Sequence, residues 1–226
     1  MPENRTAILI FSRNAQEEFR YKSWGLNFRR YSQIHLALLG KIRQTAGATG
    51  LPVFEADSSI QQGHDFGTRL LSSINWVKAQ GYTQMIIVGN DSPGLNKAAL
   101  LKARDLLAKG LSVLGRDSHG GAYLMGLNSN HIDEALINGI DWQTNRVFEQ
   151  LHERLNKVVV LSETLVDLNE KADLQRLAIV DVKVKSIIKL IWALVFGILG
   201  RLSVLISAPK PEFTVSFSHR GPPALT

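Results

Sequence analysis

The sequence predicts an α/β layered domain, and three observations carry that expectation. Short apolar runs alternate almost regularly with amphipathic stretches as far as Leu177, the pattern left by strands and helices in turn. One of these runs, residues 85–88, is apolar and rich in β-branched side chains, as a strand buried on both faces must be. It stops at Gly89-Asn90-Asp91-Ser92-Pro93-Gly94, a cluster that cannot continue a strand and has to turn. Asp91 therefore stands at the carboxyl end of a central strand, the edge of an open α/β sheet where ligands bind. A carboxylate there is a hard oxygen ligand suited to Mg²⁺ or Mn²⁺ carrying phosphate. A turn-capping role for Asp91 carries equal weight on this stretch alone.

Taken in order, residues 7–11 form a first strand. Arg13, Arg20 and Lys22 follow in what reads as a loop, a cradle for a diphosphate or triphosphate; Glu17 and Glu18 favour a solvated loop instead. Residues 28–44 read as a helix with Phe28, Tyr31, Ile34, Leu38 and Ile42 on one stripe, and residues 51–56 as a second strand. Gly63 and Gly67 frame His64 and Asp65, with Asp65 placed to cap a helix running to about residue 80. Arg69, one turn in, serves a phosphate or a core carboxylate. After the Asp91 loop, Asn96 opens a helix with Ala99, Leu100, Ala103, Leu106 and Leu107 on one face. Residues 111–115 and 120–127 are strands, the second entered through Gly120-Gly121, where backbone can approach a ligand closely. A helix at 143–155, a strand at 157–161 and an acidic loop running into a short helix at 167–177 complete the pattern.

The composition narrows the function. A chain of 226 residues makes one large domain, or one domain with an appendage. There is no cysteine, which excludes disulfides, thiolate catalysis and cysteine-bound zinc. The net charge of +6 suits an anionic ligand or an anionic membrane surface. No Lys/Arg tract interleaved with aromatics is present, so nucleic acid is not the expected partner. The first residues do not read as a signal peptide, since no small-residue cleavage site follows.

Five motifs in sequence order resemble one family: Phe11-Ser12-Arg13; residues 62–70 with Gly63, Asp65, Gly67 and Arg69; residues 89–95; His119-Gly120-Gly121-Ala122-Tyr123 through Leu127; and residues 167–174. Together they resemble a bacterial family of uncharacterised nucleotide-diphospho-sugar transferase-like proteins with the glycosyltransferase-A fold. Its distant relatives include molybdenum cofactor guanylyltransferase and phospholactate guanylyltransferase. The resemblance covers residues 7–177. It implies a three-layer α/β/α sandwich around a mostly parallel mixed sheet, and a metal-assisted glycosyl- or nucleotidyltransferase taking a nucleoside triphosphate or nucleotide-sugar. In its terms Asp91 holds Mg²⁺ or Mn²⁺ against the diphosphate, and Arg13 and Lys22 lie in the loop that wraps the nucleotide. Gly63, Asp65, Gly67 and Arg69 fall near the base or ribose, and Gly120, Gly121 and Tyr123 line the acceptor side. The ion would neutralise the leaving diphosphate.

The departures bear on catalysis. The family's Pro-Gly and Lys-Thr-Arg in the first loop are reduced here to Lys22. Its Asp-Gly-Gly becomes His119-Gly120-Gly121, and its Asp-x-Asp becomes Asp167-Leu168-Asn169. Either Asp91 holds the ion with phosphate oxygens and water, or the chain is a catalytically degenerate nucleotide-binding or scaffold protein of the same fold. His119, where it replaces the family's acid, is a neutral metal ligand or general base; otherwise it caps a turn.

The composition changes after residue 178, dividing the chain into a transferase-like domain (1–178) and a basic, apolar tail (179–226). Lys183, Lys185 and Lys189 precede the apolar run 190–200, and Pro209 and Pro211 stop any helix. A helix over 187–207 would be roughly 30 Å long, about one bilayer core. The expectation is membrane contact through 183–207, with the first domain kept on the cytoplasmic face by the lysines. The alternative is a helix buried in the core or in a homodimer interface.

Overall fold

The computed structural model of the chain describes residues 5–180 and 185–196. Among these, six strands form one sheet: β1 (Thr6–Phe11), β2 (Val53–Ala56), β3 (Gln84–Val88), β4 (Ser112–Arg116), β5 (Ala122–Asn128) and β6 (Val158–Val160). Their spatial order is β2-β1-β3-β5-β4-β6. β1 pairs in parallel with β2 and β3, and β4 with β6, while β5 runs antiparallel to both of its neighbours. The sheet is mixed, as expected.

Alternation along the central strands builds the layers. Ala7 and Leu9 of β1, with Met85 and Ile87 of β3, face one way. They meet Leu70, Ile74 and Val77 of α3 (Phe66–Ala79), Ile137 of α5 (Glu134–Asn138), and Phe148 and Leu151 of α6 (Val147–Arg154). Ile8, Ile10, Ile86 and Val88 face the other way, against Leu39, Ile42 and Ala46 of α2 (Phe28–Gly47) and Leu100, Ala103 and Leu107 of α4 (Lys97–Ala108). Every residue of β3 is buried, which is why its sequence reads as an unbroken apolar run. The helix starts anticipated at Asp65 and Asn96 are real caps. Asp65 accepts from the Thr68 amide at 2.8 Å and Asn96 from the Ala99 amide at 3.0 Å.

Three local expectations are corrected. The stretch read as a basic loop after β1 is a helix, α1 (Ala15–Tyr21), started by Asn14, whose side chain accepts from the Glu17 amide. The helix expected at 143–155 begins at Val147, because Gln143 takes a left-handed backbone (φ 64°) and ends the preceding turn. Phe28 is largely exposed, whereas Tyr31, Ile34, Leu38 and Ile42 are buried.

A third apolar cluster lies on the far side of α2 from the sheet. Ile34 and Leu38 meet Leu174 and Leu177 of α7 (Lys171–Val180) and Ile188, Ile191, Leu194 and Val195 of α8 (Lys185–Phe196). The described part of the apolar tail thus packs on the α/β layers. No helix among the described residues is long and apolar enough to cross a membrane. Lys183 and residues 197–207, on which the membrane expectation also rests, lie outside the described residues.

Candidate functional site

Strand polarity collects the expected residues at one edge. The carboxyl ends of β1, β3 and β4 and the start of β5 open into a cleft of about 670 Å³, lined among others by Arg13, Lys22, Asp65, Arg69, Asp91, His119 and Gly121. These come from five separate sequence segments.

Asp91 does not stand free. Lys22, brought in by the end of α1, places Nζ 2.7 Å from Asp91 Oδ1 and 3.1 Å from Glu18 Oε1, and donates to the Leu168 carbonyl at 3.3 Å. Burial works against the Lys22 ammonium, but the Asp91 and Glu18 carboxylates more than offset it and hold its pKa above the ordinary value. The other two cations of the cleft are also paired. Arg13 reaches Glu18 at 3.3 Å and Glu17 at 3.7 Å, with its guanidinium 4.4 Å over the Tyr21 ring. Arg69 lies 2.6 Å from Glu17. A hydrogen bond from Ser58, with Arg69 and Arg13 nearby, holds the Glu17 carboxyl below its ordinary pKa against the opposing effect of burial.

The remaining expected residues divide between lining and support. Asp65 lines the cleft while capping α3. Gly63 (φ 136°) makes the turn ahead of that cap, and its carbonyl accepts from Arg69 Nε at 3.3 Å. Gly67 is buried beneath Trp142: a Cβ there would lie 2.8 Å from the indole nitrogen and 2.9 Å from Ile137. Gly120 (φ 86°) turns into β5 and its carbonyl accepts from the Phe148 amide at 3.0 Å. Tyr123 is buried in the core, its hydroxyl donating to the Glu163 carbonyl at 3.2 Å, and is not part of the cleft lining.

Two further carboxylates belong to the cleft: Asp167, the acid retained from the family's Asp-x-Asp, and Asp117, which the sequence analysis did not single out. Asp117, which immediately follows β4, is buried, and its Oδ1 accepts from the His119 and Gly121 amides at 2.7 and 2.8 Å. Beside it lies Asp167, which accepts from the Ser92 hydroxyl. Burial, then the neighbouring Asp117 charge, pushes the Asp167 carboxyl well above its ordinary pKa; the Ser92 hydrogen bond opposes this in part, and Asp91 adds to it. The charge that His119 lacks is thus supplied by Asp117, two residues earlier. The signal was an acidic residue three positions ahead of Gly120.

Among the described residues no group of three His, Asp or Glu side chains is arranged to hold a metal ion. Two carboxyls nevertheless fit the chemistry. Mg²⁺ is commonly held by one or two carboxylates, with substrate phosphates and water completing the shell. Asp167, half-buried and short of counter-charge, and Asp91 on the adjacent loop could fill that role. Asp117 has one oxygen committed to backbone amides, and its charge adds to burial in raising the Asp167 pKa.

The fold is a glycosyltransferase-A-like α/β sandwich with its cleft at the strands' carboxyl ends. The chain belongs to a family described as uncharacterized proteins conserved in bacteria (DUF2064), whose model matches residues 28–144. No curated protein matches it in sequence. Among solved structures it is similar to a candidate nucleotide-diphospho-sugar transferase from Desulfovibrio desulfuricans G20, at 17% identity and a TM-score of 0.72, covering 85% of this chain and 97% of the other. That likeness establishes the fold. Fainter matches are Rv0371c of Mycobacterium tuberculosis H37Rv in complex with manganese (12% identity, 76% and 97% coverage, TM-score 0.41) and a glycosyltransferase involved in glycosylation of the major capsid of PBCV-1 (11%, 75% and 96%, TM-score 0.44). At those scores neither bears on this chain's chemistry.

Proposed function

We propose that the protein is a transferase acting on a nucleotide-activated substrate, a nucleoside triphosphate or a nucleotide-sugar, that arrives with Mg²⁺ or Mn²⁺. The observation that carries the reading is the Asp117–Asp167 carboxyl pair beside Asp91, one buried and one half-buried, at the ligand-binding edge of this fold. Like charges this close hold on to a proton until a cation replaces it. The D. desulfuricans relative carries a transferase name, which supports the reading. In the cleft Lys22, Arg13 and Arg69 would bind phosphate oxygens, Asp91 and Asp167 would hold the ion, and the ion would supply charge neutralisation at the leaving diphosphate. Gly121 and Ala122, at the start of β5, would bound the acceptor side. The setting would be cytoplasmic, where such substrates are found; a membrane-bound acceptor would suit the basic tail.

Calorimetry with nucleoside triphosphates and nucleotide-sugars, with and without MnCl₂, tests this. Metal-dependent binding that disappears in Asp167→Asn is the expected result; no binding that depends on metal overturns it.

One observation favours a second reading, a nucleotide-binding or scaffold protein without turnover. All three cleft cations are already neutralised by Glu17, Glu18 and Asp91. On that reading nucleotide affinity is indifferent to metal and to Asp91→Asn.

A further inference from the structure

His119 follows β4 and Asp173 lies in the first turn of α7, yet the two side chains meet at the wall of the cleft. Asp173 is completely buried. Its Oδ2 accepts from the backbone amides of Asn169 and Glu170, both at 2.9 Å, the reach-back of a third helical residue to its own helix start. Those two bonds occupy Oδ2 and leave Oδ1 to other partners. Oδ1 lies 3.1 Å from His119 Nε2 and 3.6 Å from Arg176 Nη1. The His119 contact has the distance of a hydrogen bond without its alignment, so Oδ1 stands buried without a properly directed donor.

A buried carboxylate oxygen is costly to leave unpaired. Arg176 is largely exposed and beyond hydrogen-bond distance, so the nearest group able to satisfy Oδ1 is an N–H on His119 Nε2. A neutral imidazole carries one proton; placing it on Nε2 leaves Nδ1 as an acceptor. Nδ1, on the other side of the ring, then accepts a long hydrogen bond of 3.4 Å from the exposed Ser118 hydroxyl, which a substrate hydroxyl would displace. His119 is part-exposed and lines the cleft.

We propose that Asp173 is a positioning residue that locks His119 in the Nε2–H tautomer, leaving the Nδ1 lone pair to receive a hydrogen bond from a substrate hydroxyl. The tautomer follows from the geometry of this chain alone. Its use, orienting the hydroxyl of the group that accepts the transfer, rests on the transferase reading above.

The isosteric variant Asp173→Asn makes the test sharp. The Asn169 and Glu170 amides still need an acceptor, so the Asn carbonyl takes that place and its NH₂ faces His119. Nε2 must then accept, and the ring proton moves to Nδ1. Nitrogen-15 NMR of the full chain with labelled histidine, at a pH where the ring is neutral and with His119→Gln to assign the signals, reads this directly. The expected result is a protonated, slowly exchanging Nε2 in the wild type and a protonated Nδ1 in Asp173→Asn. A wild-type Nε2 that is unprotonated or exchanges rapidly overturns the proposal. So does an unchanged tautomer in a folded Asp173→Asn. If that variant does not fold, the wild-type spectrum alone decides. With a nucleotide-sugar and Mn²⁺, Asp173→Asn should lower kcat about 10²-fold with little change in KM; lost affinity at unchanged kcat overturns the positioning role. Absence of any turnover in the wild type would count against the transferase reading and leave the tautomer result standing.

Discussion

Lys22 Nζ lies 2.7 Å from Asp91 Oδ1, joining the cation of the first connection to the carboxylate at the end of the central strand. The pair ties the end of α1 to the loop after β3. Replacing Lys22 by Met leaves Asp91 and Glu18 without their shared cation in a site where the lysine side chain is only 13% exposed. The expected cost is about 3 kcal/mol, measured by urea unfolding. Asp91→Asn in the same chain should recover part of it. Because the folded-state pKa of Lys22 is raised, its contribution is complete below 10.5, the ordinary value, and is lost as pH rises through the folded value. The deficit of Lys22→Met should therefore stay constant through neutral pH and shrink only in strong alkali.

Asp167 has the opposite consequence at neutral pH. Its folded-state pKa is raised above the ordinary 3.8, so the folded state prefers the protonated carboxyl and loses stability as pH climbs through that value. Asp167→Asn should melt higher than the wild type at neutral pH, with the gap closing below pH 3.8. Millimolar MnCl₂ should raise the melting temperature of the wild type and leave that of Asp167→Asn unchanged.

Gly67 supports the cleft by allowing close approach. An alanine methyl would press on the Trp142 indole nitrogen and on Ile137 and disturb the bond from that nitrogen to the Ile137 carbonyl, 2.9 Å long. Gly67→Ala should cost about 1–3 kcal/mol. The double variant with Trp142→Phe should lose less than the two single losses added together, as a thermal-melt cycle would show.

Ending the chain at residue 184 removes the cover that α8 gives Ile34, Leu38 and Leu177. The shortened protein should bind ANS and self-associate in sedimentation experiments. A monodisperse, ANS-negative product would mean that α8 is dispensable to the fold.

The elements that local chemistry determines were legible in the sequence. A four-residue apolar run ending in a Gly/Pro turn located β3 and Asp91, and Asp65 and Asn96 marked their helices because capping is a contact across three residues. The helix α1 was not legible. Its mixed charges look solvated until Arg69 from α3 and Asp91 from the β3 loop complete the pairs, and those partners are distant in sequence. Asp117 escaped for a related reason: motif position pointed to His119, while an Asx-type turn moves the carboxylate two residues back and keeps it in the cleft. Tyr123 shows the reverse error of direction, since strand pleating decides which of two adjacent residues meets the cleft. Ala122 lines it and Tyr123 is turned into the core.

The chain of contacts running Arg69–Glu17–Arg13–Glu18–Lys22–Asp91 alternates in sign from end to end. A wall whose charges cancel exerts little long-range pull on a bare polyanion, so net basicity elsewhere on the surface does not translate into grip here. A phosphate oxygen that docks competes with a carboxylate for its arginine or lysine. A guest bringing its own divalent cation solves both halves of that exchange, offering the cations an oxygen and the displaced carboxylates a metal. Selectivity for a chelated over a free diphosphate would then come from swapping partners, and it should survive salt concentrations that abolish simple electrostatic attraction.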